Sequence, residues 1–282
     1  PYTSITANAQ TLFIRLENTT TGCFDTTTLE LLVDPLPVIP TIEAYELCDD
    51  NNAGDLREVF DLSTKDTEII DGQNVSVAYF ETETDATNNS NELTGTYQNT
   101  STTQTLYVAL TDLTTGCRAT GSFVLIVNPL PTITSMSVLP ICDDDADGFG
   151  AFMLTSKDTE ALGGQTGVTV SYHETQSDAD TNAAPLSSPY TNTTAYSQIV
   201  FIRLENTTTG CFSTMPLELS VNPIPIANPV GTQTICDDDY DGLATFDFTG
   251  IDLTVIGAQT GMVVSYHETQ SDADTNTSAV TS

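Results

Sequence analysis

The sequence predicts an all-β chain built from tandem β-sandwich repeats of about 94 residues. Three observations carry this reading. Short markers recur at one fixed step, apolar residues between them alternate with a period of two, and Thr, Val and Tyr are abundant.

The repeat comes first because it sets the units. Cys23, Cys117 and Cys211 close a TGC marker, Cys48, Cys142 and Cys236 open a Cys-Asp-Asp marker, and both series advance by 94 residues. Pro-rich junctions at Pro35-Leu36-Pro37, Pro129-Leu130-Pro131 and Pro223-Ile224-Pro225 keep the same step. The copies starting at Cys142 and Cys236 align without gaps as far as Asn182 and Asn276, whereas the copy starting at Cys48 needs small insertions and deletions. The expected organisation is 1–34 as the C-terminal part of a repeat, 35–128 and 129–222 as complete repeats, and 223–282 as the N-terminal part of another. The chain reads as a slice of a longer array. In an alternative reading, a subunit's N-terminal strands complete a neighbour's unfinished repeat.

Within a repeat, Phe152 and Leu154 begin one strand, and Lys157 to Leu162 reads as a helical turn, as does Lys65 to Ile70. Val168, Val170 and Tyr172 alternate with Thr169, Ser171 and His173, the pattern of a half-buried strand. Val200, Ile202 and Leu204 form the next strand, Glu205 to Gly210 a hairpin turn, and Leu217, Leu219 and Val221 the strand that returns. Six or seven short strands in that span indicate an antiparallel sandwich of immunoglobulin-like type. Proline at the junctions restricts the hinge between repeats.

Composition narrows the partners. With 39 acidic against 6 basic residues the formal charge is −33, which excludes nucleic acid and anionic membrane surfaces and favours cations. No run approaches the roughly 20 apolar residues of a membrane span, so membrane insertion of this segment is not expected. No phosphate loop and no serine with a histidine base is found, so the chain is read as no enzyme.

One cysteine of each kind per repeat indicates disulfides in an oxidising, extracellular setting. Pairing within repeats would join Cys48 to Cys117 and Cys142 to Cys211; pairing between them would join Cys23 to Cys48, Cys117 to Cys142 and Cys211 to Cys236. Chain entropy gives roughly 4.4 kcal/mol for the larger loop and roughly 3.5 for the smaller, too close to decide. The within-repeat pairing is preferred because the turn cysteine should lie where the repeat begins, and Cys142 follows a Pro-rich lead-in. A full-length strand at Thr132 to Leu139 would reverse the preference.

Asp143, Asp145 and Asp147 with Gly148 have the spacing by which calcium loops wrap carboxylates around one ion, and Asp237, Asp239 and Asp241 with Gly242 repeat it. The glutamate of an EF-hand is missing at the twelfth position, so Ca²⁺ is expected in a strand-flanked loop. Asp49, Asn51 and Asp55 offer fewer carboxylates and a weaker site. A second cluster, Glu174, Asp178 and Asp180, equally suits a helix start, and His173 and His267 are expected on the outward face, where the first copy has Phe80.

The succession CDDDADG, VSYHETQSDADTN, PYTN, IVFIRLENTTTGCFS and LELSVNPIP resembles the tandem repeats of giant surface proteins of gliding Bacteroidota, exported by type IX secretion and including gliding adhesins. That resemblance implies an extracellular stalk or filament at the cell surface, or a secreted fibre, for adhesion or surface movement. Its partners would be neighbouring repeats of the same chain or filament, with a surface glycan or protein receptor as a further partner. A multivalent carbohydrate- or protein-binding module is the alternative.

Overall fold

In a computed structural model the described residues are 1–237 and 241–280. They fall into two compact units, one of Pro1–Thr134, Leu162–Val170 and Arg203–Ser213, the other of Ser135–Ala161, Ser171–Ile202 and Thr214–Ser282. Strands β1 (Ala9–Glu17) and β2 (Phe24–Leu32) form an antiparallel hairpin.

The first complete sandwich follows in the first unit. Its strands are β3 (Tyr45–Cys48), β4 (Val59–Asp61), β5 (Val75–Phe80), β6 (Thr96–Gln98), β7 (Thr103–Asp112) and β8 (Arg118–Asn128). One sheet has the order β3-β8-β7-β5 and the other pairs β4 with β6. Between the sheets lie Phe60, Leu62, Ile69, Leu106, Val108, Leu110, Phe123 and Leu125. Each such side chain contributes about 1.5–3 kcal/mol by leaving water. Alternation in β7 and β8 is what aims these residues inward. A 3₁₀ turn at Leu62–Lys65 leads into α1 (Asp66–Ile70), where the helical turn was expected. The next sandwich repeats the order with β9 (Leu139–Asp143), β10 (Ala151–Phe152), β11 (Val168–His173), β12 (Tyr190–Thr191), β13 (Ser197–Asn206) and β14 (Phe212–Pro223). Its sheets are β11-β13-β14-β9 and β10-β12.

Two features depart from a purely antiparallel sandwich with one core. The first strand of each complete repeat pairs parallel to the last, β3 with β8 and β9 with β14. Short helices α2 (Glu83–Asn88) and α4 (Gln176–Thr181), each capped by a threonine, follow β5 and β11. Helix α2 brings Ala86 against Phe80 and Ala109, a second small core on the outer sheet face.

The shared strand patterns do not fold alike everywhere. In residues 224–280 the described elements are α5 (Ile251–Ile256) and α6 (Gln270–Thr275), and the segment matching β11 is not a strand. A β11-type strand needs a β13-type neighbour, and this stretch holds none. Likewise Leu16 is 77% exposed on β1, while its counterparts Leu110 and Leu204 are fully buried.

Candidate functional site

The lead-in of a repeat runs the whole length of its sheet. At the hairpin end the Cys117 thiol lies 4.0 Å from the Asp34 carbonyl. Further along, Ile39 packs over Gly121 so closely that a Cβ there would come within 2.5 Å of Ile39 Cγ2. Tyr45 then sits opposite Leu125 and Cys48 opposite Asn128. Side chains hold this path. Gln73 accepts from the Val38 N–H and donates to its carbonyl, each at 2.8 Å, and Gln165 does the same for Thr132 at 2.9 and 2.8 Å. Glu160 accepts from the Ser137 N–H at 2.5 Å and from Lys157 Nζ at 2.9 Å. The Lys157 and Ser137 hydrogen bonds hold the Glu160 carboxyl down at about 2.

This path separates the cysteines that were expected to meet. Cys48 ends β3 beside the last residue of the eleven-residue β8, whereas Cys117 precedes the first. Eleven strand residues span about 36 Å, far beyond the reach of a disulfide. The same register places Cys142 opposite Asn222, with Cys211 at the other end of β14. Instead, Cys48 bonds Cys211, 163 residues on, with Cα atoms 5.5 Å apart. Both expected pairing schemes are therefore wrong. Cys117 and Cys142 are thiols, as are Cys23 and Cys236. The far end of one repeat is stapled to the hairpin turn of the next, inside the first unit.

The turn that presents Cys211 is built by Asn206. Its Oδ1 accepts from the Thr208 and Thr209 N–H groups, its own N–H donates to the Cys211 carbonyl, and Gly210 takes φ 73°, which glycine tolerates.

Directly after each first-strand cysteine comes the acidic loop. Asp143 is buried and accepts from the Ala146 and Gly148 N–H groups at 2.8 and 3.1 Å. Asp145 accepts from Asp147 N, and Asp147 from Phe149 N. Asn192 anchors the loop, accepting from Gly150 N and donating to the Gly148 carbonyl. Carboxylate oxygens of Asp143, Asp145 and Asp147 lie within 4.8 Å of one another. Partial desolvation, the side-chain hydrogen bond with Asp147 and the charges of Asp147 and Asp144 push the Asp145 carboxyl up, against the lowering effect of the Asp147 N–H. The donor set is hard oxygen, the kind that suits Ca²⁺.

The loop after Cys48 is closed differently. Asp49 accepts from Gly54 N and Leu56 N, and the Asn51 amide donates to Glu58, which also accepts from Asp50 N and Asn51 N. Asp55 turns to Asn52 and Arg57 N. Asp49, Asn51 and Asp55 thus take part in hydrogen bonds within their own loop, as Asp143, Asp145 and Asp147 do in theirs, and Glu58 was not foreseen. In the third loop Asp237 accepts from Gly242 N and Asp241 from Leu243 N, while Asp239 lies outside the described residues.

Such a staple has a counterpart among sequence families. The model of the Flavobacterium inter-domain disulphide bond domain matches residues 1–37, 44–131, 138–225 and 232–282. The chain belongs to that family. No curated protein matches the sequence. Among solved structures, a three-domain immunoglobulin fragment of titin is similar at 11% identity and a TM-score of 0.28, over 77% of this chain and 75% of that one. A four-domain cadherin fragment of protocadherin gamma B7 is similar at 10% identity and a TM-score of 0.21, over 81% of this chain and 63% of that one. The chain therefore spans less than two thirds of the cadherin fragment.

Elsewhere in the chain, two sequence expectations change. His173 keeps its place on the outward face but is fully buried there rather than at the surface, its Nδ1 bonded to the Ala183 carbonyl and its Nε2 to Ser171 Oγ. The second acidic cluster is the α4 start: Thr175 Oγ1 accepts from Asp178 N and donates to its carboxylate, while Glu174 accepts from Tyr190 OH. Among the described residues, no helix is long and apolar enough to cross a membrane.

Proposed function

We propose that this chain is a structural segment of a long extracellular adhesin or surface filament, stiffened at its repeat junctions by disulfides and by Ca²⁺. The observation that carries this reading is the Cys48–Cys211 bond between successive repeats, a link that belongs in an oxidising compartment. Its work is mechanical, not catalytic. Asp143, Asp145 and Asp147 would hold the ion, with carbonyls or water completing its shell; the ion would neutralise the clustered carboxylates and order the loop beside the first-strand cysteine. The remaining negative charge keeps neighbouring fibres apart. The repeat boundaries proposed are 1–34, 35–128, 129–222 and 223–282. The resemblance to gliding-adhesin repeats supports export by type IX secretion and a role in adhesion or gliding.

The test is thermal unfolding of the oxidised chain with millimolar Ca²⁺ and with chelator. A calcium-dependent rise in Tm that disappears when Asp143, Asp145 and Asp147 are changed to Asn supports the reading. An unchanged Tm removes calcium from it and leaves the disulfide alone.

A further inference from the structure

Two apolar faces stay open in this chain, and each matches the half that the other lacks. The β1–β2 hairpin pairs Leu12 with Leu29, the register in which β7 and β8 pair Leu106 with Phe123. Phe13 to Phe24 repeats Phe201 to Phe212 residue for residue, FIRLENTTTGCF. In the complete repeat Ile202, Leu204 and Leu217 are fully buried; the same positions on the hairpin, Ile14, Leu16 and Leu29, are exposed. Residues 224–280 hold the opposite half, with its local bonds already made. Tyr266 OH donates to Asp252 as Tyr172 does to Asp158, and His267 Nδ1 bonds the Thr277 carbonyl as His173 bonds that of Ala183. The Val280 N–H donates to the Tyr266 carbonyl as Leu186 does to Tyr172. Ser265 to Asn276 repeats Ser171 to Asn182 without a change. What is missing is cover. Phe246 is 45% exposed where Phe152 is fully buried, and a groove lined in part by Phe248, Leu253, Val264, Tyr266 and Val280 stands open beside residues 262–267, which form no strand.

We propose that the β1–β2 hairpin of one molecule seats on residues 224–280 of a second copy of this chain and completes its sandwich by strand addition. A second copy is the occupant because its hairpin presents the sequence that, as β13, already packs beside β11 in the complete repeat. The register follows from β5 and β7, where Val75 faces Asp112 and Phe80 faces Tyr107. Carried over by the repeat, it sets Val264 opposite Leu16, Tyr266 opposite Ile14 and His267 opposite Phe13. Ile14 and Leu16 then leave water as Ile202 and Leu204 do, and the backbone of 262–267 gains a ladder. The two faces differ, so each joined pair still offers one hairpin and one groove. Growth is an open head-to-tail series, not a closed dimer. The contact stands on this complementarity, and it adds to the filament reading a way for copies to join end to end.

Sedimentation velocity of the oxidised full chain in chelator is the test, with Cys23, Cys117, Cys142 and Cys236 changed to Ser so that no covalent link between molecules contributes. Dimers, trimers and longer species should appear as concentration rises, and hydrogen exchange at residues 262–267 should slow with them. Leu16→Asp or Val264→Asp places a charge in the joined face and should weaken association about 100-fold or more. Mixed together, these two variants should form dimers and stop there, because one competent hairpin meets one competent groove. Leu16 is exposed and Val264 half-buried in the single chain, so neither change removes a core residue of the monomer, and an intact Cys48–Cys211 bond reports its folding. A chain that stays monomeric, exchange at 262–267 that is slow at every dilution because the chain closes on itself, or association indifferent to both substitutions overturns the proposal. Neither calcium, thiol chemistry nor adhesion enters the assay, so its failure is distinguishable from failure of the filament reading.

Discussion

Cys48 stands opposite Asn128, at the end of β8 farthest from Cys117. Parallel pairing of β3 with β8 therefore makes the staple an inter-repeat bond, because no rotamer change can cross about 36 Å of strand. Replacing Cys48 with Ser removes a 163-residue closed loop. The expected cost is about 2–5 kcal/mol in denaturant unfolding, with no new Cys117–Cys211 or Cys142–Cys211 peptide in a non-reducing map. Unchanged stability would mean the bond contributes nothing to the fold.

Gln165 ties both backbone groups of Thr132 to the carbonyl end of α3 (Asp158–Leu162), since its amide also donates to Leu162. Gln165→Ala leaves those groups to water or to nothing. A loss of about 0.5–1.5 kcal/mol is expected, together with faster hydrogen exchange at the Thr132 amide. Retained protection would show that the lead-in is held by packing alone.

Glu160 supplies an acid-sensitive contact. Its folded carboxyl titrates at about 2, held down first by Lys157 and then by Ser137. A depressed carboxyl stabilises the fold above its unfolded value of about 4.5, and that contribution is lost as pH falls toward 2. Glu160→Gln should flatten part of the acid limb of the stability profile between those values. A variant whose acid limb matches the parent's would contradict this role.

His173 is a core group. His173→Ala removes a fully buried ring together with the partner of the Ala183 carbonyl and the Ser171 hydroxyl in a part-buried site, and a loss of about 1–3 kcal/mol is expected in denaturant unfolding. A neutral effect would place the ring at the surface after all.

Much of this architecture can be read from the residues. The fixed step of the Cys and Pro markers reveals the repeat, and alternation through Leu217, Leu219 and Val221 reveals both strand and inward face, since all three are buried. The Asp143 loop is legible because alternate carboxylates before glycine have a chemical meaning. Periodicity, however, assigns a face and not a neighbour. The four-residue β3 is too short to announce that it runs parallel to β8, and the cysteine pairing depends on that direction. His173 was misplaced for a related reason: alternation put it on the outer face, but it is buried there, and the six residues of α4 that follow β11 are too few for a helical period. The Gln73 and Gln165 clamps carry no pattern of their own; only their recurrence opposite Val38 and Thr132 could have signalled them.

The most direct measurement is the force–extension curve of the single chain pulled from its two ends, oxidised and then reduced. With Cys48 bonded to Cys211, the 163-residue loop is shielded from tension. The oxidised chain should then reach a fully extended length shorter by about 570 Å, at about 3.5 Å per residue. Equal lengths before and after reduction would contradict the inter-repeat staple and the filament mechanism built on it.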